Sequence, residues 1–169
     1  MKLIILFTSL VLVSCGGSSG SGSSNPTLEN SNTDITLDET AFKDTHFKTS
    51  SDEIIKLSIA DSEQEYNAGL SFVQPEDFGE DEGKIFLYKV EEYRTFWMKN
   101  TFFDLDIFYL DKNFKVINVV RDLPYYEGSI SSQIPRAPSI KSRHVLEMKS
   151  SSPIADNIHI GEQLTWVEP

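Results

Sequence analysis

Cysteine is nearly absent from this chain: of 169 residues one is Cys, at position 15. A single thiol excludes an internal disulfide framework and any zinc centre built on several thiolates. It also leaves the chain beyond residue 15 without a thiol nucleophile. Histidine is scarce too. His46, His144 and His159 are far apart in sequence, and no pair has the spacing of a helix or strand metal motif, so surface histidines are expected. There is no glycine-rich phosphate loop and no nucleophile elbow. Basic residues are outnumbered, 15 Lys and Arg against 26 Asp and Glu. That balance argues against nucleic acid as a partner, because phosphate contacts need clustered cations. It argues equally against a broad electrostatic grip on anionic lipid headgroups. Long apolar runs are missing after the first residues, and the one at the start is too short to span a bilayer, which takes roughly 20 residues.

That first run has the parts of an export signal. Lys2 supplies the positive end, Leu3 to Val13 is apolar except for Thr8 and Ser9, and Leu12-Val13-Ser14-Cys15 reads as a lipobox. Residues 1–14 are therefore expected to be a lipoprotein signal peptide. Cys15, otherwise without a partner, is the expected lipidation site and membrane anchor. From residue 15 to about 40 follows a tether rich in Gly and Ser, with a reach of roughly 25–30 Å. Residues 41–169 form the expected folded domain. The predicted location is the cell envelope on the extracytoplasmic side, as a monomer; Gly16, where an acidic retention signal would stand, favours the outer over the inner membrane.

Within the domain, short alternating segments predict strands at 53–59, 84–90, 94–99, 102–110, 114–120, 143–148 and 163–167. One helix is predicted after the capping-box pair Ser62 and Glu65, ending near Gly69. The fold class is mainly β, a β-sandwich or partly closed barrel with one short helix.

The chemistry is concentrated between Phe96 and Ile107. Read as a hairpin with Asn100-Thr101 at its tip, the segment places Phe96, Met98, Phe103, Leu105 and Ile107 on a core face. Trp97, Lys99, Asp104 and Asp106 then share the other face. One reading is a solvated face with a cross-strand ion pair, worth up to ~1 kcal/mol. The other is a small polar site walled by the indole. Asp104 and Asp106, roughly 7 Å apart on one strand face, offer an acid/base pair, a spacing that many non-catalytic strands share. Glu147, on a strand with an apolar face, needs a cation, and Lys99 is the expected partner. The predicted ligand-binding set is thus Trp97, Lys99, Asn100, Asp104, Asp106 and Glu147. No residue is assigned a catalytic or metal-binding role, and the cofactor is unknown.

Phe96-Trp97-Met98-Lys99-Asn100-Thr101, followed by Asp104-Leu105-Asp106-Ile107, resembles the signature of the uncharacterised family DUF192, F-W-M-K-N-T then P-L-D-I. Glu65 with Gly69-Leu70, Gly83 to Phe86, Val145 to Glu147 and Gly161-Glu162 resemble its other motifs in order, over about 53–167. The chain departs from the pattern at Tyr66 and Val73, where arginines are usual, at Ser71 and Lys84, where methionines are usual, and at Asp104, in place of proline. The family has no established activity, so the resemblance implies a fold and a site location without a reaction. An anion site built on those arginines would be lost or altered here, and Asp104 would shift the patch toward cations. Three functions compete: a binding module for a small polar ligand or an envelope protein, an accessory structural lipoprotein, and a carboxylate-dependent hydrolase. The hydrolase ranks last, because no motif joins nucleophile, base and orienting group.

Overall fold

A computed structural model describes residues 45–167; the signal segment, Cys15 and the tether lie outside them. Seven strands build the domain. They are β1 (His46–Lys48), β2 (Ile54–Ala60), β3 (Glu82–Arg94), β4 (Leu105–Leu110), β5 (Val116–Leu123), β6 (Ile140–Lys149) and β7 (Thr165–Val167). They form one sheet in the order β5-β4-β6-β3-β2-β1-β7, curled into a half-barrel, so the fold is mainly β as expected. Every neighbouring pair is antiparallel except β2 and β3. A parallel pair cannot be joined by a tight turn and needs a crossover. Residues 61–81 supply it, and this crossover lies over one face of the sheet.

The crossover begins with helix α1 (Glu63–Ala68), set by the expected capping box. The Ser62 hydroxyl accepts from the Glu65 amide and the Glu65 carboxylate accepts from the Ser62 amide. Gly69 ends the helix at φ 51°, a region that suits glycine. A second short helix, α2 (Pro153–Asn157), replaces the turn expected there. Ser152 caps it and Pro153 opens it, a combination that fixes the first turn without costing a hydrogen bond.

The sheet buries both faces. Phe47, Ile55, Leu57, Ile85, Phe108, Leu110, Leu146 and Met148 pack under Ala155, Ile158 and Leu164. Ala60, Phe86, Leu105, Ile107, Tyr109 and Val145 pack under Leu70, Phe78, Met98 and Phe103. All six residues of β4 are buried, and so are the last six of β6. At Gly83 the packing leaves no room for a side chain: a Cβ would lie 2.7 Å from Leu146 Cδ1.

Two strand expectations fail. β3 runs on to Arg94, and residues 95–104 contain no strand, so the hairpin over Phe96–Ile107 does not form. Instead Met98 N donates to Pro135 O, Ala137 N donates to Phe96 O, and Trp97 bridges to Arg136. The tip turns at Asn100, with φ 56°, and there Asn100 O accepts from Phe72 N. The segment is therefore held by the crossover and by the connection before β6. The expected core grouping nevertheless stands, with Met98, Phe103, Leu105 and Ile107 buried in one cluster and Phe96 packed against it.

Candidate functional site

Without the hairpin, the candidate residues separate into four places. Trp97, Lys99 and Asn100 stay together. They line a surface recess of about 320 Å³ with Asn67, Ala68, Ser71 and Phe72. Trp97 is 40% exposed and Phe72 69%. Phe72 holds a positive φ, and Ser71 Oγ donates to Lys99 O at 2.8 Å, so the crossover and the Trp97 segment are tied at this spot. Lys99 Nζ lies 5.1 Å and the Arg136 guanidinium 4.7 Å from the indole centroid. Neither cation is within ion-pair distance of a carboxylate among the described residues. The surroundings of Trp97 are thus positive, opposite to the cationic preference expected from Asp104. Arg136, which the sequence reading missed, is brought in by the Trp97 bridge, and nothing local in the sequence signals that pairing.

Asp104 lies apart from this recess. Its carboxylate accepts from Tyr125 N at 2.8 Å and it borders a second cleft with Phe102, Lys149 and Glu80. Asp106 is buried on the opposite face of the sheet from Ile107. Opposite it β5 carries a bulge at Arg121-Asp122, with Asp122 at φ 50°. The bulge aims two groups at one carboxylate: Arg121 Nη1 pairs with Oδ2, and Asp122 N donates to Oδ1 at 2.9 Å. Ser150 Oγ also donates to Oδ1 at 2.9 Å. Arg121 reaches on to Ala155 O and Ile158 O, the carbonyls at the end of α2. Asp106 is therefore a bracket between β4, the bulge and α2, with both of its carboxylate oxygens hydrogen-bonded.

Glu147 is 4% exposed and fully enclosed on the crossover face. Lys99 is not its partner. Across the sheet it opposes Lys84 on β3 and Ile107 on β4. Its Oε2 has no hydrogen-bond partner. Burial pushes the carboxyl up to about 8, against an opposing pull from Lys84. Lys84 is itself lowered, mainly by burial. His144, expected at the surface, is buried and stacked on Phe114 with centroids 4.9 Å apart; burial lowers it to about 4. The described residues hold no group of three or more His, Cys, Asp or Glu that could bind a metal.

The sequence model of DUF192, described as uncharacterised ACR, matches residues 45–166. No curated protein matches the chain. A solved structure of a protein of unknown function from Novosphingobium aromaticivorans is similar at 27% identity and a TM-score of 0.57, covering 72% of this chain and 83% of that one. A candidate transcription regulator from Sinorhizobium meliloti has a TM-score of 0.57 at 18% identity, covering 72% of this chain and 91% of its own. At that identity the second likeness is one of fold.

Two consequences are measurable. Asp106→Ala leaves the Arg121 charge without its buried partner and is expected to cost about 3–5 kcal/mol in urea unfolding. A loss below ~1 kcal/mol would show that the bracket is dispensable. For Glu147 the folded carboxyl titrates well above its unfolded value of about 4.5. The folded state then holds a proton that the unfolded chain loses, so this group lowers stability as pH rises from about 4.5 to 8. His144 acts in the opposite sense, adding stability between about 4 and 6.5. Glu147→Gln is expected to flatten the decline above pH 6.5; a profile unchanged from the parent would contradict the burial argument.

Proposed function

This chain belongs to the DUF192 family, and on that footing we propose that it is a lipid-anchored envelope protein whose domain is a binding module with its site at the Trp97 recess. The observation that carries the reading is an indole left partly exposed between two cations that have no carboxylate partner among the described residues. Large aromatic side chains usually bury their surface, and flanking cations raise the attraction of a polar, anionic group. The recess offers such a ligand two aromatic walls, Trp97 and Phe72, together with Lys99, Asn100, Asn67 and Ser71. Its volume is at the lower end of that of small-molecule sites. A short acidic segment of an envelope protein fits the same chemistry. The lipobox and Cys15 support the anchor, and the tether supports a domain held clear of the membrane surface. In this reading Asp106 serves the fold, and Trp97, Lys99 and Asn100 face the ligand.

The anchor is tested by fractionating cells that express the chain. The parent is expected in the membrane fraction and Cys15→Ser in the soluble fraction; equal partitioning would sink the anchor. The site is tested by a thermal-shift screen of envelope-derived small anions. A ligand present at 100 times its Kd adds about 2.7 kcal/mol, which should raise Tm by several degrees. That rise should vanish in Lys99→Ala and Trp97→Ala. Stabilisation that survives both substitutions would remove the ligand from this recess.

A further inference from the structure

A third cleft, of about 530 Å³, lies between the crossover and the β2–β3 pair, away from the Trp97 recess. Leu70, Val73 and Phe78 supply apolar walls, the carboxylates Asp77 and Glu82 also line it, Glu82 holding the Gly79 amide, and Lys84 is the cation set deepest among the lining residues. The other lining lysine, Lys56, is neutralised by Asp81 at 2.7 Å. Lys84 makes no hydrogen bond and no ion pair among the described residues, although its cross-strand neighbour Glu147 is a buried carboxyl with an unpartnered oxygen. A buried carboxyl and a half-buried ammonium side by side, neither bonded, are an unusual expense in a folded core. Burial keeps Glu147 protonated at neutral pH, so it does not neutralise the ammonium beside it. The cleft also holds two of the positions at which this chain departs from the signature. An arginine is missing at Val73, and a cation stands instead at Lys84.

We propose that this cleft binds a small carboxylate with an apolar body, the carboxylate held by Lys84 and the body lying on Leu70, Val73 and Phe78. The chemistry of the lining selects this class. An anion alone would leave the apolar walls wetted, and an uncharged hydrocarbon would leave the ammonium without a partner. The proposal is independent of the Trp97 recess, since the two sites share no residue.

Hexanoate is the probe, with hexanol and inorganic phosphate as controls, titrated into the full chain and followed by calorimetry and by backbone amide NMR. Hexanoate is expected to bind at least tenfold more tightly than either control and to shift the amides of Gly69 and Gly83. Lys84→Met, which keeps the length of the stem and removes the charge, is expected to weaken hexanoate at least tenfold, and Lys99→Ala to leave it unchanged. Should Lys84→Met fold poorly, Val73→Glu places a competing carboxylate in the cleft and is expected to weaken hexanoate to the same degree. The proposal is overturned by the absence of hexanoate binding, by equal binding of hexanol or phosphate, or by full binding in the Lys84 or Val73 variant. Shifts centred on Trp97 and Lys99 would overturn it as well, while leaving the Trp97 recess intact.

Discussion

Two adjacent strands without a solvent face govern this domain. β4 is buried along its whole length and β6 from His144 to Lys149, because α2 covers one side of the half-barrel and the crossover covers the other. Strands buried on both faces usually read as continuous apolar runs. Here they carry Asp106, His144, Glu147 and Lys149, and each has to be accommodated inside. Lys149 reaches Pro75 O at 2.7 Å and lies near Glu80. Asp106 takes the Arg121 guanidinium and two further donors. His144 gives up its charge and stacks as an aromatic ring. Glu147 Oε2 is left without a hydrogen-bond partner, as is His144 Nδ1, and Glu147 lies across the strand pair from Lys84, which borders the cleft under the crossover.

The same constraint explains how the sites are distributed. With the sheet faces largely occupied by core, the two proposed sites sit where covering segments meet one another or the sheet. The Trp97 recess lies where the crossover touches the segment before β4, and the Lys84 cleft lies where the crossover meets the sheet. The crossover thus borders both, and its geometry follows from the single parallel pairing in the sheet.

Much of the fold was legible because it is written locally. Alternation marked most strands, and Ser62 with Glu65 marked the start of α1. The grouping of Met98, Phe103, Leu105 and Ile107 emerged correctly even though the hairpin did not, since alternation reports which side chains avoid water and not which strand lies alongside. The partners of Phe96–Asn100 are residues 135–137 and Phe72, tens of residues away in sequence. For the same reason the sequence points to Lys99 as the partner of Glu147. Only the register of β3 on β6 identifies Lys84. Asp106 looked exposed for want of a partner close in sequence, yet a bulge 15 residues later delivers Arg121 to it.

β1 is three residues long and is held on both sides, by β2 and by β7. Phe47 packs against Trp166 and Phe114, with ring centroids 5.4 and 5.1 Å away. The first strand of the domain to be synthesised is therefore completed by the last. Such pairing closes a loop of nearly the whole domain, which raises the contact order and slows folding. It also brings the two ends of the folded unit side by side at one edge of the sheet. A short linker from β7 to β1, with new termini opened in a surface loop, would give a circular permutant in which that long-range pairing becomes a local hairpin.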